Sequence, residues 1–216
     1  MFRAVLLSLI AVSWLSACPD AEAAGKKYLV EQAGIEEEHL EQAKPRFKRI
    51  SAGVVAMEIQ RSEPANEGDA QEQPITETVF FTGRESCTVA YQGEGEIVDA
   101  LKVTGAEYIF LRRSSGNATD TEYEYTVLRI TPTGEVSEAR DSEGSAITFS
   151  ASTRTRCRET TGHTVSWSKS ERSPLLVVHE REASRDERCR LTEDNNQYRY
   201  YRLTADAWHT ESAHAD

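Results

Sequence analysis

After residue 15 the chain has no apolar run approaching the roughly 20 residues that a membrane-spanning helix needs, so the sequence predicts no transmembrane helix in the body of the protein. It has only four cysteines and no Cys-x-x-Cys, which argues against thioredoxin-type exchange and a zinc knuckle. Gly-x-Ser-x-Gly, His-Glu-x-x-His and an EF-hand loop are all missing. Gly93-Glu94-Gly95 lacks the strand, helix and lysine of a phosphate-binding loop. Positive charge is short as well: 25 Lys and Arg stand against 36 Asp and Glu, a net charge of -11. A surface of that sign repels nucleic acid and anionic head groups. The sequence therefore predicts no catalytic constellation, no metal site, no cofactor and no nucleic-acid partner.

What is present begins with a leader. Arg3 gives a short positive region, and Ala4–Leu15 is an apolar run of the length found in export signals. Leu15-Ser16-Ala17-Cys18 resembles the lipobox of bacterial lipoproteins: Leu15 fits the apolar position, Ser16 and Ala17 the small ones, and Cys18 the acceptor. The resemblance covers the first 18 residues and implies a lipid-anchored protein of the cell envelope, with Cys18 as lipidation site. Pro19 follows Cys18 where the family's retention signal has Asp, which implies an outer-membrane anchor with the domain facing the periplasm. The alternative is ordinary cleavage after Ala21-Glu22-Ala23, giving a soluble periplasmic or secreted product.

The organisation expected from the rest is a signal peptide over 1–17, a tether over 18–32, one β-rich domain over 33–205, and a polar tail over 206–216. A short helix is expected at 33–44, ended by Pro45. Residues 51–60 read as a strand buried on both faces at its start, and 106–113 as another strong strand. Ser62–Pro74 is polar and reads as a loop. Further strands are expected at 121–131, 145–157, 163–169, 174–182, 187–193 and 197–203. Turn residues punctuate them at Pro132-Thr133-Gly134, Asp141–Gly144, Thr161-Gly162 and Asp194-Asn195-Asn196. Short strands at this spacing predict a mainly β fold, an antiparallel meander forming a sandwich or a barrel.

Residues 151–216 hold eleven Lys or Arg and eleven Asp or Glu, so the acidity lies upstream of them. Arg154, Arg156 and Arg158 alternate and share one face of a strand. Such arginines form either a salt-bridged outer sheet face or a surface for an acidic protein or an anionic glycan. The stripes Tyr123/Tyr125 and Tyr198/Tyr200 either pack in the sheet or line a ligand groove. His39, His163, His179, His209 and His214 are scattered, and a dyad of Cys87 with His163 or His179 is the weakest of the chemical readings. If Cys18 is lipidated, three thiols remain. Cys157 falls in phase with Ile147, Phe149 and Ala151, and Cys189 with Leu191, so a Cys157–Cys189 disulfide between inward faces is expected in an oxidising compartment.

The function expected from these features is that of a non-catalytic envelope protein binding a protein or glycan partner, as an inhibitor, an immunity-type protector or an assembly accessory. An envelope hydrolase with unrecognised residues is the alternative, and so is a lipid or lipoprotein carrier built on a hollow barrel.

Overall fold

A computed structural model describes residues 18–51, 53–63, 73–83, 85–116, 119–156, 159–169 and 175–211. The segment read as a tether is instead a helix, α1 (Ala21–Glu31). Ala21, Ala24, Gly25, Tyr28 and Leu29 recur at the i, i+3, i+4, i+7, i+8 spacing of one helix face, and Tyr28 and Leu29 are buried. Small residues make that stripe faint in the sequence. They also allow close approach: a Cβ on Gly25 would stand 2.7 Å from the Phe47 ring and 2.8 Å from Met57 Sδ. The helix expected at 33–44 is reduced to a 3₁₀ turn (Glu37–His39) and one helical turn, α2 (Leu40–Ala43). Lys44 ends it in the left-handed region, at φ 40°.

Four strands then form an antiparallel meander, β1 (Arg46–Ser51), β2 (Val54–Glu63), β3 (Gln73–Thr82) and β4 (Thr88–Glu94). As expected, β2 is buried on both faces where it starts. Val55, Met57 and Ile59, with Val79 and Phe81 of β3, pack under α1. Val54, Ala56 and Phe80 pack the opposite way, against the second sheet. The loop read at 62–74 is shorter than expected, because β2 runs to Glu63 and β3 begins at Gln73; residues 64–72 lie outside the described residues.

The second sheet contains β5 (Glu96–Val103), β6 (Ala106–Gly116), β7 (Asp120–Ile130), β8 (Val136–Glu138), β9 (Thr148–Arg156), β10 (Glu159–Lys169), β11 (Leu175–Arg185), β12 (Leu191–Leu203) and β13 (Trp208–Glu211). Its order is β13-β12-β11-β10-β9-β7-β6-β5, with β8 on β7. β6 is apolar in consecutive positions because both its faces are covered. Ile109 and Leu111 meet the first sheet, while Tyr108 and Phe110 join Leu176, Val178, Tyr201, Leu203 and Trp208 from the late strands. The same holds for β7, where Val127 and Leu128 belong to different clusters. Its pairing with β6 runs without a register shift, so the change of face reflects burial on both sides rather than a bulge.

The late strands thus lie back over the early ones. The Trp208 ring sits 5.4 Å from Tyr201, 5.7 Å from Tyr108, 6.0 Å from Phe110 and 6.2 Å from Phe149. Tyr108 Oη donates to Thr204 O at 2.7 Å, which pins the turn before β13. A single bridge, Asp141 to Trp208, touches the sheet's far part, but the described strands do not close into a barrel. The architecture is a sandwich of two antiparallel sheets with one short helix on its outer side.

Three further expectations are corrected here. The tail read at 206–216 contains β13, and Trp208 is fully buried; one large ring among polar neighbours outweighs the polar pattern. Asp194, Asn195 and Asn196 form no turn but pair within β12 opposite Ala183, Glu182 and Arg181. The turn lies earlier, where Cys189 N donates to Asp186 O at 3.0 Å. Gly162 likewise lies inside β10, opposite Thr153 and Ala183. Its φ of +102° and the 2.3 Å from a built Cβ to Ser152 O explain why glycine stands there. The turns at Pro132–Gly134 and Asp141–Gly144 are where the sequence puts them: Asp141 Oδ1 accepts from the backbone of Glu143 and Ser145 at 2.9 and 2.8 Å.

Candidate functional site

Hairpin register assembles a polar row that no sequence motif announces. Ser115 lies opposite Glu122, Glu122 opposite Ser152, Ser152 opposite His163, His163 opposite Glu182, and Glu182 opposite Asn195. Directly opposed residues share a sheet face with Cβ atoms about 5 Å apart. A groove of about 610 Å³ here is lined by Arg113, Glu122, Glu124, Ser150, Ser152 and His163. A histidine, carboxylates and hydroxyls therefore do meet in one place, which is the arrangement a hydrolase needs first.

Among the described residues no hydrogen bond joins His163 to a serine or a carboxylate. The floor of the groove is sheet, its strands paired antiparallel on both sides of β9. The Cys87 sulfur is bonded to Cys18, so it offers neither histidine a free thiol.

An adjoining groove of about 670 Å³ shares Glu122 and Ser152 and is lined by Asp120, Thr153, Arg154, Gly162 and Arg185. Arg154 binds Asp120 across strands, and that hydrogen bond holds the Asp120 carboxyl below its usual range. The same pattern continues outward. Arg181 grips Asp194 with two bonds of 2.6 and 3.0 Å, Arg190 meets Asp186 at 2.7 Å, and Arg199 and Arg202 pair with Glu180 and Glu211. Arg154, Arg181, Arg199 and Arg202 are salt-bridged within the sheet, as the first of the two readings has it, but on both of its faces: Arg181 and Arg202 share the face of Tyr198, whereas Arg199 lies opposite the buried Val178, and Arg190 pairs inside the β11–β12 turn. Arg158 and the Arg156 side chain lie outside the described residues.

The tyrosine stripes divide. Tyr125 is buried and Tyr123 packs against the core. Tyr198 is 54% exposed. It stacks on His179, opposite it on β11, with ring centroids 4.5 Å apart and planes at 10°. His179 Nε2 is in turn 2.8 Å from Asn196 Oδ1. In the same register, Val177 faces Tyr200, and Ser166 and Ser168 of β10 lie beside His179 and Val177. Tyr198 is the exposed ring of a strip that is fixed in place, with Ser166 and Ser168 on one side and the Arg181–Asp194 and Arg202–Glu211 ion pairs on its flanks.

Two acid clusters are buried in the first sheet. Glu77 accepts from the Tyr28 hydroxyl and pairs with Arg61 Nη2 at 2.8 Å. Burial first, then Glu77, pushes the Tyr28 phenol well above its ordinary range. Glu58 accepts from Lys48 Nζ at 2.9 Å and from the Ile97 backbone N–H at 2.8 Å, joining the two sheets. Both clusters read as structural, although Arg61 Nε is buried without a hydrogen-bond partner among the described residues. Glu36, Glu38 and His39 bring two carboxylates and an imidazole together at the 3₁₀ turn. All three are exposed there, and nothing else among the described residues points to a cation. His209 is exposed on β13, and His214 lies outside the described residues.

Cys18 is 3% exposed, bonded to Cys87, and its N–H donates to Gly83 O at 3.0 Å. Cys189 is disulfide-bonded but exposed in the β11–β12 turn, with Leu191 44% exposed beside it. The inward face assigned to it is therefore corrected; Cys157 lies outside the described residues. No described helix is long and apolar enough to cross a membrane. No family model, no curated protein and no solved structure matches this chain.

Proposed function

We propose that the chain is an exported, non-catalytic binding protein of a bacterial cell envelope, and that its partner docks on the strip formed by Tyr198, Tyr200, His179 and Val177. One observation carries this reading. A large aromatic ring is held more than half exposed by a stacked histidine that is itself fixed by Asn196. A pre-fixed exposed ring contributes contact area with little loss of side-chain entropy on binding, as aromatic anchors at interfaces do. The flanking serines are uncharged and the nearby arginines are neutralised by their own acids, which favours a neutral glycan chain over an acidic one. A carrier function is disfavoured because aromatic rings fill the interior between the two sheet halves. A hydrolase is disfavoured because, among the described residues, no acid or hydroxyl is hydrogen-bonded to His163.

The test is co-sedimentation of the purified domain with envelope polysaccharide and, in parallel, cross-linking to envelope proteins in intact cells. Tyr198→Ala and His179→Ala are expected to lower glycan retention at least about tenfold without changing the melting temperature. Retention unaffected by both changes removes the strip from the reading. Cross-linking to a protein that Tyr198→Ala abolishes would replace the glycan with a protein partner.

A further inference from the structure

We infer that Cys18 is a structural half-cystine rather than a lipid acceptor, so that the leader is removed upstream of Cys18 and the domain is released from the membrane. This goes beyond the proposed binding function, which stands with either fate of the residue. A diacylglyceryl group is attached through a thioether to the cysteine sulfur, and a disulfide uses the same atom; one sulfur cannot hold both. Three observations place Cys18 with the fold. Its side chain is buried and packed in the cluster of Tyr28, Leu29, Met57 and Phe81. Its sulfur is bonded to Cys87. Its backbone N–H is held by Gly83 O at 3.0 Å. Only two residues separate it from α1, whose buried face covers the first sheet, so the residue has no tether on which to reach a bilayer.

The same geometry bears on where the leader ends. A cut after Ala23 would remove Cys18 and the start of α1, leaving Cys87 without this partner. A cut after Ala17 keeps the whole unit and places a small residue directly before the scissile bond. The bridge then forms by exchange with a disulfide-donating oxidant of the export compartment. Two thiols lose two protons and two electrons, the donor's disulfide is reduced to a dithiol, and the S–S bond closes a loop of 69 residues.

The experiment uses the full chain, expressed in an export-competent bacterium with and without globomycin, which blocks lipoprotein processing. The exported product is analysed by intact mass and by peptide mapping without reduction. The expected product begins at Cys18, carries no lipid mass, shows a Cys18–Cys87 linked peptide and is indifferent to the inhibitor. A diacylglycerol mass on Cys18, with Cys87 as a free thiol, would overturn the inference. So would a product that begins after Ala23. Cys87→Ser separates the two fates independently of leader cleavage. With the bridge, it lowers the melting temperature on the order of 10 °C and leaves Cys18 open to alkylation. With a lipid on Cys18, the same change leaves the melting temperature and membrane association unaltered.

Discussion

The first sheet and the late ribbon of β10, β11 and β12 use the same antiparallel pairing and reach opposite ends of the burial scale. In the first sheet β2 and β3 are covered on both sides, by α1 and by the second sheet, and their acids are locked into internal clusters with Tyr28, Arg61 and Lys48. In the ribbon, β12 is exposed from Leu191 to Arg199, and its charges pair across strands at the surface. Buried ion pairs are costly to break from one side, whereas exposed ones contribute little. One end of the molecule is therefore built for stability, and the other is free to change its side chains for recognition.

Substitutions test that division, beginning with the largest effect. Trp208→Ala empties the site where four other rings converge and is expected to cost about 3–5 kcal/mol in chemical denaturation. Tyr198→Ala, removing a ring of similar class from the ribbon, is expected to stay within about 0.5 kcal/mol. Equal losses would abolish the contrast. The next effect concerns the ribbon's own staple. A Cys157–Cys189 disulfide, proposed from the sequence, would close a loop of about 30 residues and contribute roughly 3–4 kcal/mol. Peptide mapping without reduction should give the linked pair, and Cys189→Ser should expose one new thiol; a Cys189 peptide linked elsewhere refutes the proposal.

Glu77→Ala ranks third. It leaves Tyr28 and Arg61 without their common acceptor and is expected to cost about 2–3 kcal/mol, read as a lower denaturation midpoint. The smallest effects are those of pH. Burial raises the Glu107 carboxyl above its usual range, with Lys102 only partly offsetting it. An acid raised in the folded state favours folding below its unfolded pKa and loses that contribution as pH rises through the folded value. Glu107→Gln should therefore give a small gain in melting temperature at neutral pH that vanishes in acid. Asp120 and Asp194 have the opposite sign. Arg154 and Arg181 hold their carboxyls below the usual range, so their contribution is present above the ordinary carboxylate pKa and fades only as pH falls below it. Asn at either position should therefore lower neutral stability slightly, leave stability in strong acid unchanged, and so flatten the acid limb of the profile.

Legibility in the sequence follows the same division. The doubly buried strands announce themselves, since Val54–Ile59 and Ala106–Leu111 leave no polar alternation to misread. The turns at Gly134 and Gly144 are legible because glycine is there for its positive φ. The helix α1 is not, because its buried stripe is mostly alanine and glycine and lies in the segment read as a tether. Asp194-Asn195-Asn196 imitates a turn, yet eleven cross-strand pairs with β11 hold it extended. The row from Ser115 to Asn195 is invisible for a different reason: which residues face one another depends on the register of five strand pairings at once. Tyr198 was legible as a stripe, but its stacking on His179 again requires the register. Cys18 was legible only as part of a leader motif, and its pairing with Cys87 needs the helix that the motif obscured.

Trp208 also sets the order of events in the life of the chain. Its ring completes a core whose other members begin at Leu101, more than a hundred residues upstream. A chain made from its N-terminus cannot close that core until β13 has emerged. Until then Tyr108, Phe110, Phe149 and Tyr201 share an unfilled centre, and the second sheet has no final state to settle into. A late-arriving plug of this kind makes closure of the second sheet a long-range event, slow to begin and all-or-none once Trp208 docks.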